Sequence, residues 1–181
     1  MIVWNMAQLA NALLPIMPND EDILNEFKRL IHEMQKIRSL WLKKFGKKIG
    51  ITKTKPHDYK LISNFLNGLA SRNEDFTISF RKLTEEPEYF KYVDPDWFET
   101  WKTRITVEPD PISIMTKTNP NLIPRNHQVE LAIKEALNAD FTLFYRLNEA
   151  LKSPYEKTLE YADLETTPTE EEEVIKTFCG T

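Results

Sequence analysis

Glycine is nearly absent, with 4 in 181 residues. Phosphate-cradling loops and β-rich folds use glycine for tight turns and close backbone approach, so its scarcity argues against both. Cysteine occurs once, as Cys179, which excludes an internal disulfide and a thiolate zinc site of the usual kind. No run approaches the ~18 apolar residues of a membrane span. The N-terminus has no basic region ahead of its apolar residues and does not read as a signal peptide. These absences lead us to expect a soluble, cytoplasmic chain. Catalytic signatures are missing too. His32 stands beside Glu33 without a second histidine four residues on, so the HExxH zinc arrangement is absent. There is no GxSxG elbow, no GxxxxGK[ST] loop and no Asp-Phe-Gly metal-holding motif. We expect no metal and no cofactor to be bound by this chain itself.

What is present is ordinary in amount and uneven in placement. Hydrophobic residues make up 41% and charged residues 29%, with a net charge of −4. Lys28 to Lys60 hold eleven Lys and Arg against Glu33 and Asp58, while Tyr155 to Thr181 hold eight acids against Lys157 and Lys176. The acidic end can fold back on the basic segment, or each can meet another partner. Nucleic acid is one class of partner for the basic segment, but no recognised nucleic-acid motif accompanies it. A solvated helix face is the plainer reading.

The periodicity is helical throughout. Trp4, Ala7, Leu9, Ala10, Leu13 and Leu14 lie close to helical spacing, ended by Pro15 and Pro18. Opening directly into a core-forming helix suggests that more protein precedes it. Asn19 or Asp20 is the expected cap of a long amphipathic helix carrying Ile23, Phe27, Leu30, Ile31, Met34, Ile37, Trp41 and Phe45, closed by Gly46. Further helices are expected from about Asp58 through Leu69, through Phe76, Phe80 and Leu83, and from Asp94–Pro95 through Trp101. Four prolines between Thr106 and Pro124 exclude a continuous helix and predict an ordered crossing loop. Two more helices carry Val129 to Leu137 and Phe141 to Leu151, with Asp140 as a cap between them. The fold class is all-α: an irregular multi-helix domain over 1–154 and an extended acidic tail over 155–181.

Few residues suggest chemistry. His57 follows Pro56 and borders a helix. His127 closes the run Asn119-Pro-Asn-Leu-Ile-Pro-Arg-Asn-His127. There Asn119, Arg125 and Asn126, between Pro120 and Pro124, can bond backbone groups and clasp a loop onto a helix. A functional role and a structural one both stand for this run. Glu170 to Glu173 read as a solvated tail or a frayed first turn. Cys179, third from the C-terminus between small and apolar neighbours, is accessible to another thiol, although the acidic run tends to raise its pKa.

Several stretches, in order, resemble the C-terminal region of the SelO family, a pseudokinase-like group of protein adenylyltransferases. Trp4-Asn-Met-Ala-Gln-Leu-Ala10 through Leu13-Leu14-Pro15 is similar to the family's WNLxRLAxALLP segment. Asp75-Phe-Thr-Ile-Ser-Phe-Arg81 resembles its D(Y/F)TxxFRxL segment, and Asn119 to His127 its NPxxIPRNH segment. Phe141 to Pro154 resembles the RLLxALxxP(F/Y) run, and Phe178-Cys-Gly-Thr181 a terminus common among bacterial members.

The resemblance implies the C-terminal helical part of a kinase-like fold, whose ATP-holding core lies elsewhere. In full-length relatives it implies AMP transfer from ATP to Ser, Thr or Tyr hydroxyls of proteins, with Mg or another divalent metal. The family's terminal cysteine is associated with redox control, a role the match implies for Cys179. The partners implied are the kinase-like core and protein substrates. An apolar surface shaped for that core also predicts self-association. The alternative is a free-standing helical adaptor that binds another protein through its basic helix.

Overall fold

A computed structural model describes residues 2–17, 21–34 and 36–173. Among the described residues the regular structure is entirely helical, an irregular multi-helix arrangement without strands. Helix α1 spans Ile2–Leu13 and runs into a 3-10 turn, Leu14–Ile16, where Pro15 breaks the α-helical bonding. Helices α2 (Glu21–Met34) and α3 (Lys36–Lys48) follow. Then come α4 (Asp58–Ser71), α5 (Phe76–Glu85), α6 (Tyr89–Val93) and α7 (Pro95–Ile105). The last are α8 (Pro111–Thr116), α9 (Asn126–Ala136), α10 (Thr142–Ala150) and a 3-10 segment, Leu159–Glu165.

Short acidic caps set three of the helix starts. Asp75 accepts from Ile78 N at 2.8 Å, Asp94 from Trp97 N at 3.3 Å and Asp110 from Ser113 N at 3.1 Å. Each satisfies an amide that the first helical turn leaves without a partner. Pro95 and Pro111 each stand in the first turn, where a missing N–H costs nothing.

Four expectations need correction or limits. The long helix predicted from Ile23 to Phe45 corresponds to α2 and α3; residue 35 between them lies outside the described residues, as does the predicted cap at Asn19 or Asp20. Gly46 does not close the helix. It lies buried inside α3, where a Cβ would collide with Thr54 Cγ2, and the helix continues to Lys48. Gly50 makes the turn instead. Its φ of +83° is the left-handed conformation that favours glycine, and Gly50 N donates to Lys47 O at 3.1 Å. The crossing loop predicted between Thr106 and Pro124 contains α8, because the interval from Pro111 to Pro120 leaves room for one short capped helix. Helix α6 was not anticipated; its five residues are too few to display a helical period.

Two apolar cores organise the chain. The first gathers Ile49 and Ile51 from the Gly50 turn, then side chains from α4 to α8. Aromatic rings fill its centre. Phe65 stacks on Trp97 at 4.5 Å and meets Phe80 and Phe90 edge-on at 5.1 and 5.2 Å. Burying each such ring stabilises the fold by about 1.5–3 kcal/mol relative to exposure. The polar edges are satisfied as well: Trp97 Nε1 donates to Leu61 O at 2.9 Å and Trp101 Nε1 to Ile49 O at 2.8 Å. The second core is small, comprising Leu122, Ala132, Leu147, Ala150 and Leu164. Leu164 belongs to the 3-10 segment after Pro154, so the first part of the acidic tail packs on α9 and α10. Arg146 of α10 pins it through Asp163 at 2.6 Å, and buried Gln128 donates to Leu164 O at 3.0 Å.

Candidate functional site

The run from Asn119 to His127 joins the two cores. Asn119 is fully buried, and its Nδ2 reaches Lys48 O at 2.8 Å, Thr84 Oγ1 at 3.1 Å and Phe80 O at 3.3 Å. Its Oδ1 accepts from Lys48 Nζ at 3.4 Å. One side chain thus ties the end of α3 to the last turns of α5. Lys48 is half-buried over the rings of Phe76 and Phe80, and burial holds its pKa below the usual lysine value. Pro120 is half-buried, and after it the backbone amides of Asn121 and Leu122 both donate to Pro154 O.

Farther on, Pro124 is exposed and Arg125 is buried. The Arg125 guanidinium meets both oxygens of Asp75, at 2.9 and 3.3 Å. Asp75 therefore caps α5 and anchors the entry to α9 together. Burial alone would raise the Asp75 pKa. Hydrogen bonds from Arg125 and from the amides of Ile78 and Thr77 outweigh it and hold the carboxyl below its usual range. Asn126 is exposed at the start of α9, and His127 is half-buried in its first turn. Pro124 to His127 line a cleft of about 540 Å³, closed on one side by Pro168, Glu172 and Glu173. Asn119 and Arg125 already use their hydrogen-bonding groups on the protein itself. No nucleophile with an adjacent base lies in this cleft, and the geometry is that of a clasp.

Of the remaining sequence candidates, His32 is exposed on α2 and His57 is exposed beside α4. Cys179 lies outside the described residues. Among the described residues no three His, Cys, Asp or Glu side chains converge to hold a metal, and no helix is long and apolar enough to cross a membrane.

Two features escaped the sequence reading. The first is an ion cluster under α4 and α7. Asp58, fully buried, receives Arg104 Nε at 2.8 Å, Arg104 Nη2 at 3.1 Å and Lys55 N at 2.7 Å. Arg104 also holds Glu108 at 3.1 Å, which accepts from Thr52 N at 3.0 Å. The partners are 46 residues apart, and only the i,i+4 spacing of Arg104 and Glu108 was visible beforehand. The second is the composition of a groove between α4 and α7.

The N-terminal helices display the opposite property. Trp4 is 65% exposed, Leu9 49% and Leu40 54%, and of the described side chains in α1 only Ala10 is buried. Met6, Leu9, Leu13, Phe27, Leu30 and Ile37 surround an open apolar hollow of about 400 Å³. Contiguous apolar surface of this kind is characteristic of protein contacts, membrane contacts and ligand grooves.

Comparison with known proteins locates the chain. No family model matches it. It is 39% identical over 184 residues to the protein nucleotidyltransferase YdiU of Ruegeria sp. (strain TM1040), covering 99% of this chain and 39% of that protein. It is 38% identical to the protein of that name from Ruegeria pomeroyi, with the same coverage, and 36% identical to that of Brevibacillus brevis over 197 residues. The chain thus spans about two-fifths of the length of the curated relatives it matches. Identity sustained over the whole chain in proteins from separate genera establishes descent, and the chain belongs to the SelO (YdiU) family.

Proposed function

We propose that this chain is the C-terminal helical region of a SelO-type protein nucleotidyltransferase, acting as scaffold for a kinase-like core that carries the chemistry. The carrying observation is the coverage: 99% of this chain aligns with 39% of proteins named protein nucleotidyltransferase. The apolar face of α1, α2 and α3 supports the reading, because a core seated there would cover Trp4, Leu9 and Leu13. In the complete assembly a protein hydroxyl attacks the α-phosphorus of ATP, pyrophosphate leaves, and AMP remains on Ser, Thr or Tyr. ATP and Mg are assigned to the core, since the sequence has no GxxxxGK[ST] loop and, among the described residues, no three ligating side chains converge to hold a metal. Incubated alone with α-labelled ATP and Mg, the chain is expected to label neither itself nor added protein. Labelling that persists after removal of contaminants would contradict the assignment.

Cys179 is assigned a regulatory part. As the sole cysteine of this chain, it can form a disulfide only with a thiol outside it. Oxidation would remove two electrons and two protons from the thiol pair, to a disulfide oxidant such as oxidised glutathione, and reductant would reverse it. In a complete assembly, mass spectrometry after oxidation is expected to find Cys179 bridged to the core and released by dithiothreitol. A Cys179 that stays free under the same oxidation would remove the redox role.

A further inference from the structure

A groove of about 770 Å³ lies between α4 and α7. It belongs to neither the clasp nor the apolar N-terminal face. The helices run antiparallel: Asp58 at the start of α4 meets Arg104 at the end of α7, while Gly68 lies beside Asp94, the cap of α7. Each helix turns a polar stripe inward. On α4 the stripe is Lys60, Asn64 and Asn67; on α7 it is Asp96, Thr100 and Thr103. Both stripes follow the three- and four-residue spacing of one helical face. Between them Leu61 and Trp97 form an apolar floor.

The side chains of Lys60, Asn64, Asn67 and Asp96 are exposed and bonded to nothing else among the described residues. Each asparagine therefore offers a donor and an acceptor to the groove, which is what an extended backbone requires. Among the described residues, the groove charges outside ion pairs divide by position: Lys60 stands at one end and Asp96 at the other, while Asp58 and Arg104 pair with each other and Asp94 lies 3.8 Å from Arg72 Nη1. From Lys60 to Asn67, seven residues of α-helix rise about 10 Å, which an extended chain covers in about three residues at ~3.3 Å each.

We propose that this groove binds an extended segment of a partner protein that carries an acidic and a basic side chain about three residues apart. The acidic side chain sits against Lys60, the basic one against Asp96, and the two asparagines hold the backbone between them. This inference does not rest on nucleotidyl transfer, and the 181-residue chain suffices to test it.

The probe is an array of immobilised neutral hexapeptides into which one Arg and one Glu are placed at every pair of positions. Labelled chain is expected to be retained at least tenfold more on peptides with the two charges three or four residues apart than on uncharged ones. One order of the charges should be preferred. An Asn64→Leu, Asn67→Leu double variant, with an unchanged melting temperature, should lose that retention. A Lys60→Glu, Asp96→Lys variant should prefer the reverse order of charges. Uniform retention across the array, or a preferred order unaltered in the charge-exchanged variant, would overturn the proposal. So would a second copy of the chain occupying the groove, seen as dimerisation that the asparagine variant abolishes.

Discussion

Replacing Arg104 by alanine is expected to destabilise the chain by about 3–5 kcal/mol, because it leaves a buried charge without its partner. Asp58 is fully buried and Glu108 nearly so, and Arg104 is the cation that both contact. For a domain of this size the melting temperature should fall by roughly 10 °C. Acid provides a second readout. Burial would raise the pKa of Asp58, but hydrogen bonds from Arg104 and Lys55 N outweigh it and hold the carboxyl below its ordinary 3.8. Glu108, by the same competition with Thr52 and Arg104, lies below its ordinary 4.5. Depressed carboxyl groups contribute stability that is present above their unfolded pKa and lost as pH falls through the folded value. Wild type should therefore lose stability below about pH 4. In the alanine variant the bonds from Lys55 N to Asp58 and from Thr52 to Glu108 remain, but burial is no longer opposed by the guanidinium, and the balance moves toward the protonated acids. The stability gap between the two proteins should be largest near pH 7 and shrink below pH 4. A gap independent of pH in chemical-denaturation curves would refute this account of the cluster.

Asn119→Ala is expected to cost about 2–4 kcal/mol, combining lost hydrogen bonds with a small cavity. Lys48 O is the most exposed to this loss, since Asn119 Nδ2 is the donor that reaches it from outside its own helix. The isosteric Asn119→Asp change separates volume from bonding. An aspartate keeps the size and gains attraction to Lys48 Nζ, yet places an acceptor against the three acceptors that Nδ2 now serves. At pH 7 the aspartate should be no better than alanine by thermal melting. An aspartate variant as stable as wild type would show that the Lys48 contact, and not the amide's donor bonds, holds the clasp.

The clasp and the ion cluster differ in how far they could be read beforehand. Asn119 to His127 stood out because asparagine and arginine between prolines have few local structures to adopt, and the structure puts them at the joint between the two cores. Asp58 and Arg104 gave no such signal: each fits a solvated helix end, and only the antiparallel packing of α4 on α7 brings them together. The helices with long apolar stripes, α4, α5 and α7, were legible for the ordinary reason that burial follows a 3.6-residue period. Gly46 misled because glycine after a lysine pair resembles a helix stop; close packing against Thr54 explains it instead. The floor of the α4–α7 groove, Leu61 and Trp97, read only as core, while its walls read only as surface. Their meeting in one groove is a property of packing.

The central claim is that this chain supplies the helical region of a SelO-family nucleotidyltransferase, and domain exchange tests it most directly. The 184 residues that match in the Ruegeria sp. (strain TM1040) protein nucleotidyltransferase YdiU would be replaced by this chain. Transfer of label from α-labelled ATP to protein would then be measured. The account predicts that the exchanged protein retains transfer, and that a Leu9→Lys, Leu13→Lys version folds its helical region but loses transfer as the core detaches. An exchanged protein that is folded and inactive, or one indifferent to lysines on the α1 face, would contradict it.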